Sequence, residues 1–365
     1  MTINTYRGVQ ALRFISALVV VAFHACYWFN RDSGSSGAAP EIKLIGDLCV
    51  WTFFLISGFV VVHVVDSGRE PDWSTFALRR AIRILPLAWI MTGIKVAAAL
   101  LAPRAMFDGD ITPTRIIASL LLVPSRDSSG DFRALWGVEW TLIFEAAFYL
   151  LVTLAIAVRV DPLRLVTPVL IVVAVLSIWR PEGGSVLWFY ADPVVLFLAA
   201  GMWIGRAART GRIRPAVLAT LLCTALYGVI EMVRQESSPV LAVVVFGALT
   251  ASFGLLIASE RRLGGRIPTW LVIAGNSAFA LYLTHPLVAQ ALPRLMGASG
   301  VTEIHWAPVV LISVVVSVVL GWAVHRWVDT PMGRFLRRRL IGHRPVADQA
   351  TSKQDSPAIR GSGSR

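Results

Sequence analysis

Charge is what this chain has least of. Only 15% of its 365 residues are Asp, Glu, Lys or Arg, against about 25% in soluble domains. Cysteine is scarcer still. Cys26, Cys49 and Cys223 show neither metal-ligand spacing nor an even-numbered disulfide framework. Cys26 and Cys49 fall near the same end of neighbouring apolar segments, which leaves a disulfide open and makes buried free thiols the plainer reading. The sequence has no Gly-rich phosphate loop, no internal repeat and no separate soluble domain. Acidic residues are also few, and the formal net charge is +12.

What fills the space is apolar. Hydrophobic residues make up 56% of the chain and the mean hydropathy is +0.68. A globule of this length cannot hide so much apolar surface from water. A water-soluble enzyme is therefore excluded, as is a disordered or fibrous chain. A spanning helix needs about 20 mostly apolar residues. Ten such segments can be read: 9–29, 44–65, 82–102, 136–158, 164–180, 190–207, 215–232, 239–259, 270–291 and 306–328. The expected fold is all-α, a polytopic integral membrane helical bundle of about ten transmembrane helices.

The loops carry an orientation signal. Alternate connections, from Arg7 through Arg79, Arg206 and Arg261 to the segment from Arg326 onward, hold 23 of the 34 Lys and Arg. The other set holds nine, and Arg13 and Lys95 fall inside spans. This is the positive-inside pattern, and it places both termini in the cytoplasm. It also accounts for the positive charge without nucleic acid. Residues 1–340 are expected to form the membrane domain and 341–365, rich in Gly, Ser, Pro and charge, a disordered cytoplasmic tail. Ile116 to Val123 is too short to span and reads as re-entrant or interfacial.

Ionisable groups inside a bilayer cost several kcal/mol unless buried or solvated, so each is a functional candidate. The plainer alternative is an interhelical hydrogen bond that only holds helices together. Arg13 and His24 are eleven residues apart, about three whole turns, and share one stripe of the first span. Asp47 opens the second span and is placed to orient His24, because a carboxylate fixes an imidazole tautomer. Ser57-Gly58 reads as a small-residue packing site, and His63 as interfacial. Arg80 and Arg83 share a face. They serve either as a positive-inside anchor or as a phosphate clamp, since guanidinium forks grip phosphates bidentately. Glu139 and Glu145 point to different faces of one helix, whereas Glu145 and Tyr149 share one. His24, Asp47, Glu139 and His285 fall at similar depth on four spans.

These residues carry a resemblance. Gln10-Ala11-Leu12-Arg13 followed by His24 resembles the opening Arg-x10-His motif of the membrane acyltransferase-3 family, particularly members that decorate bacterial exopolysaccharide and lipopolysaccharide. Asp47 through Phe59 resembles its second-helix motif, with Cys49 to Thr52 intervening before Phe53-Phe54. Arg80-Ala81-Ile82-Arg83 resembles its Arg-x-x-Arg motif, and Trp140 to Tyr149 its Trp-Ser-Leu-x-x-Glu-x-x-Phe-Tyr element. Tyr282-Leu283-Thr284-His285-Pro286 resembles its Tyr-x-x-His-Pro segment. Asp329-Thr330-Pro331 resembles its closing Glu-x-Pro, with Asp for Glu. The resemblance covers about residues 7–340.

It implies a multi-pass enzyme of the bacterial cytoplasmic (inner) membrane. The implied reaction moves an acyl group, by default acetyl, from cytoplasmic acyl-CoA to a hydroxyl of a sugar-containing acceptor. His24 is then the general base or an acyl relay, with Arg13 stabilising charge or positioning the donor. Glu145 and His285 position the acceptor or orient His24, and Arg80 and Arg83 bind coenzyme A phosphates. Acyl-CoA is the only expected cofactor, as donor substrate, and no metal is expected. The alternative class is a glycan or lipid transporter or flippase.

Overall fold

The structure, a computed structural model, describes residues 6–32, 40–68, 70, 72–101, 110–235, 237–298 and 306–341. The described residues form twelve α-helices and no β-strand. These are α1 (Arg7–Asp32), α2 (Pro40–Val65), α3 (Trp73–Leu101), α4 (Pro113–Leu121), α5 (Glu139–Ala157) and α6 (Pro162–Leu176), then α7 (Val195–Thr210), α8 (Ile213–Arg234), α9 (Pro239–Leu263), α10 (Thr269–Ala298), α11 (Trp306–Val324) and α12 (Thr330–Leu340). In a low-dielectric surround every backbone polar group needs an internal partner, and helices provide one locally. Several helix starts carry side-chain caps. Asp72 accepts from the Thr75 amide at 2.8 Å, and Asp161 and Ser238 cap α6 and α9 ahead of Pro162 and Pro239.

Nine helices among the described residues are long and apolar enough to cross a membrane. The protein is a multi-pass membrane helical bundle. The expected span at 190–207 is shorter than its apolar run implied. It is a 3-10 turn, Val186–Tyr190, followed by the 16-residue α7. At 1.5 Å per residue α7 is about 24 Å long, less than a ~30 Å hydrocarbon core. It is also the most enclosed helix. Gly58 and Gly201 let α2 and α7 touch backbone to backbone: a Cβ added at Gly58 would collide with the Leu198 carbonyl oxygen, and one at Gly201 with that of Leu55.

A second difference concerns α3. It begins at Trp73 rather than near residue 82, because Asp72 caps it. Arg79, Arg80 and Arg83 therefore ride on a helix and not in a loop. His63 is buried, 3% exposed, with its ring against Tyr6 and Phe59. The three cysteines are free thiols. Of the expected tail, residues 342–365 lie outside the described residues.

Most of the ion pairs lie at one end of the bundle, while Arg115–Asp110 and Arg133–Asp127 lie at the other. Arg206 joins Asp66 after α2 to Asp161 before α6. Glu260 of α9 accepts from the Arg7 and Gly8 amides at the start of α1. This arginine-rich end holds the basic set of connections. The opposite end is made by α4, the loop 122–138 and the turn before α7. Here α4 is too short to span, as its apolar stretch implied. It leans on α3, with the Trp89 indole donating to the Leu120 carbonyl at 2.7 Å.

Candidate functional site

The ionisable residues separate into two stations along α1. The first lies toward the arginine-rich end. A cavity of about 140 Å³ is lined by Arg13 of α1, Ser57 of α2, Arg80 and Arg83 of α3, and Glu145 and Tyr149 of α5. The i,i+4 spacing of α5 does what it predicts, and the Tyr149 hydroxyl donates to Glu145 Oε1. The same carboxylate oxygen accepts from Ser57 Oγ at 3.1 Å. The Ser57-Gly58 pair thus divides its labour: Gly58 packs against α7, and Ser57 faces the cavity.

Both clamp candidates are held in place by acids. Arg80 pairs with buried Glu70 at 3.1 Å and lies over Phe76 and Tyr149. Its Nε is buried without a partner. Arg83 lies over Phe279 and 3.9 Å from Asp329. Asp329 ends a π-helical turn, His325–Asp329, and also meets His325 Nδ1 at 3.1 Å. Such turns recur at functional sites. No role for Asp329 beyond a motif match was read from the sequence. The signal was its place directly before Thr330-Pro331, where a new helix starts.

The second station lies past the cavity, one turn beyond Tyr282 on α10 and three turns beyond Arg13 on α1. The cavity lining reaches Phe53 and Tyr282 but includes neither His24 nor His285. There α1 and α10 bring the two imidazoles together, with His285 Nε2 3.3 Å from His24 Nδ1. The hydrogen-bond network assigns the tautomers. Pro286 has no N–H, so the Tyr282 carbonyl loses its helical donor. His285 Nδ1 lies 2.7 Å from that carbonyl and donates to it. His285 Nε2 is then an acceptor. His24 Nδ1 lies 2.9 Å from the Val20 carbonyl, so it too carries the proton and faces two acceptors. His24 Nε2 keeps a lone pair. His285 is fully buried and His24 half-buried.

Two expectations are corrected by this geometry. Asp47 makes no contact with His24 among the described residues; the Val20 carbonyl and His285 orient the ring instead. Glu145 does not reach His24, because its partners are Ser57 and Tyr149 on the cavity side of Tyr282. Arg13 shares the stripe with His24 but belongs to the other station, where Gln10 Oε1 is 3.5 Å from its guanidinium. Glu139, 1% exposed, joins neither. It accepts from Ser119 at 2.8 Å and Thr92 at 3.1 Å, and α4 thereby bonds to α3 and α5. The neighbouring Trp136 indole donates to the Leu283 carbonyl at 2.9 Å, and Thr141 Oγ1 lies 3.1 Å from the Tyr282 hydroxyl. These two contacts brace the α10 segment that carries His285. Single-sequence periodicity gave no sign of them.

Residues 6–326, which contain both stations, match the family described as "Acyltransferase domain". The chain belongs to the acyltransferase-3 family. It is 30% identical to "Acyltransferase MdmB" of Streptomyces mycarofaciens, over 95% of this chain and 96% of that protein. It is 28% identical to "Exopolysaccharide production protein ExoZ" of Rhizobium meliloti (strain 1021), over 81% of this chain and 92% of the relative. It is 27% identical to "Nodulation protein 10" of Rhizobium leguminosarum bv. viciae, over 53% of this chain and 49% of that protein. No solved structure matches it significantly. The protein is a membrane O-acyltransferase, and the transporter alternative is set aside.

Proposed function

We propose that this acyltransferase carries an acyl group, acetyl by default, from cytoplasmic acyl-CoA to a hydroxyl of a sugar in an extracytoplasmic or membrane-associated glycan. The observation that carries this reading is the pairing of an arginine-lined cavity with a base-ready histidine about three turns from Arg13 on the same helix. In this reading the arginine-rich end faces the cytoplasm of a bacterial inner membrane, both termini lie on that side, and residues 341–365 extend from it. The coenzyme's phosphates sit at Arg80 and Arg83, which suit bidentate anion contacts. Its thioester arm runs past Arg13 and Tyr282 toward His24.

The chemistry then follows from the tautomers. The acceptor O–H gives its proton to His24 Nε2, and its oxygen attacks the thioester carbonyl. The C–S bond breaks, and the thiolate takes the proton back from His24. His24 Nδ1–H stays on the Val20 carbonyl and His285 Nε2, which hold the ring and share the charge of the imidazolium. Arg13, beside Arg80 and Arg83 in the cavity, helps position the donor on its way to His24. The acyl-His relay is the same geometry with Nε2 attacking first. A sugar acceptor is supported by the exopolysaccharide production named for one relative.

Purified protein in nanodiscs, given isotopically labelled acetyl-CoA, tests the donor. Thioester turnover that rises on adding envelope glycan supports the reading; no binding or turnover of any acyl-CoA overturns it. Mass spectrometry of envelope glycans with and without the gene then identifies the acceptor, and unchanged glycan acylation overturns the sugar assignment.

A further inference from the structure

At the end of the bundle opposite the arginine cavity lies a second pocket, of about 240 Å³, with a different lining. Phe132, Trp140, Phe144 and Phe189 supply ring surfaces, and Arg133, Arg180 and Asp192 supply the charged groups, Arg133 also pairing with Asp127 at 3.5 Å. The rings support one another: Phe144 stacks on Phe189 at 4.8 Å, and Phe132 meets Phe189 edge-on at 5.9 Å. The Arg180 guanidinium is spread over Phe132, 4.6 Å from its centre. Gly137 leaves the floor open, since a Cβ there would meet no atom within 4 Å.

We infer that this pocket is the acceptor subsite and holds one sugar ring of the glycan, an assignment that rests on the proposed acyl transfer to a sugar. A pyranose has an apolar C–H face and an equatorial rim of hydroxyls. Aromatic rings match the face. A guanidinium that only donates and a carboxylate that only accepts match hydroxyls that do both. The volume is below the ~300–1,000 Å³ of pockets for drug-sized ligands and suits a single ring. Position points the same way. Gly137 sits on the turn whose Trp136 braces Leu283, and Trp140 at the start of α5 beside Thr141, which meets Tyr282, so the pocket and the histidine pair flank one structural element. Donor and acceptor would then approach His24 from opposite ends.

Saturation-transfer NMR tests this on the full chain in phosphatidylcholine nanodiscs, which avoids sugar-headed detergents. The probes are free glucose, galactose, mannose and N-acetylglucosamine. At least one should receive saturation, strongest on its ring C–H protons. Gly137→Leu fills open space, and Arg180→Met keeps the stem over Phe132 but removes its donors. Each should weaken that sugar by about tenfold or more, the scale for a few misplaced groups in a fitted pocket. Acetyl-CoA affinity, read on the same samples, should not move. No saturation of any sugar by the wild-type protein, or equal signals in both variants, overturns the assignment. Loss of acetyl-CoA binding by the wild type would sink the donor reading and leave the sugar result to stand alone.

Discussion

Around the cavity, three guanidiniums face a single lining carboxylate, and Arg80 and Arg83 are braced by acids and aromatic rings. Around His24 and His285 the partners are two backbone carbonyls, an imidazole and aromatic edges. The first set of materials is what holds an anion, because guanidinium forks remain charged in any surround. The second is what holds a neutral imidazole with one nitrogen committed and one free. The difference teaches that binding and proton transfer are separated by three turns of α1 and by Tyr282, and that separate variants should dissect them.

The widest gap is expected from His24→Ala. Turnover should fall by ~10²–10⁴-fold, the usual scale for a lost general base, while acyl-CoA affinity stays close to wild type. Titration calorimetry and a product assay on one preparation check both halves. Removing the fork of Arg80 or Arg83 should do the reverse. Each Ala variant should lose about 1.5–3 kcal/mol of acyl-CoA affinity, and Arg83→Lys should also be impaired because an ammonium cannot form the fork. Unchanged affinity in the double variant would reduce the pair to a topology anchor.

Smaller effects sharpen the boundary between the stations. Ser119→Ala removes a donor to buried Glu139 and should cost about 1–3 kcal/mol of stability, seen as a lower Tm without a change in donor affinity. Tyr282→Phe removes only the hydroxyl that meets Thr141. It should cost about 0.5–1.5 kcal/mol and appear in kcat rather than in acyl-CoA binding, since Tyr282 braces the histidine segment. A change confined to donor affinity would place Tyr282 with the cavity instead.

Much of this was legible in the residues. The apolar runs located the helices, and the eleven-residue spacing aligned Arg13 with His24. The i,i+4 rule paired Glu145 with Tyr149. Pro286 was legible too, in retrospect, because a missing N–H frees the Tyr282 carbonyl that then fixes His285. What periodicity cannot report is which faces of non-adjacent helices meet. The partnership of His24 with His285 spans α1 and α10, and Arg83 with Asp329 spans α3 and the turn after α11. Depth alone grouped His24 with Asp47 and Glu139, yet depth says nothing of azimuth, and those carboxylates face other neighbours. The early start of α3 was missed because Arg79, Arg80 and Arg83 look like loop residues by hydropathy, although Asp72 caps a helix that contains them.

The central claim is that His24 is the base and does not bind the donor. His24→Gln tests it most directly, because Gln keeps a polar group beside the Val20 carbonyl and His285 but cannot accept a proton at neutral pH. Acyl-CoA affinity and single-turnover acyl transfer should be measured on the same nanodisc sample. The account predicts wild-type affinity with transfer reduced by ~10² or more. Near-normal transfer by a folded His24→Gln protein would contradict it and move the search for the base to His285.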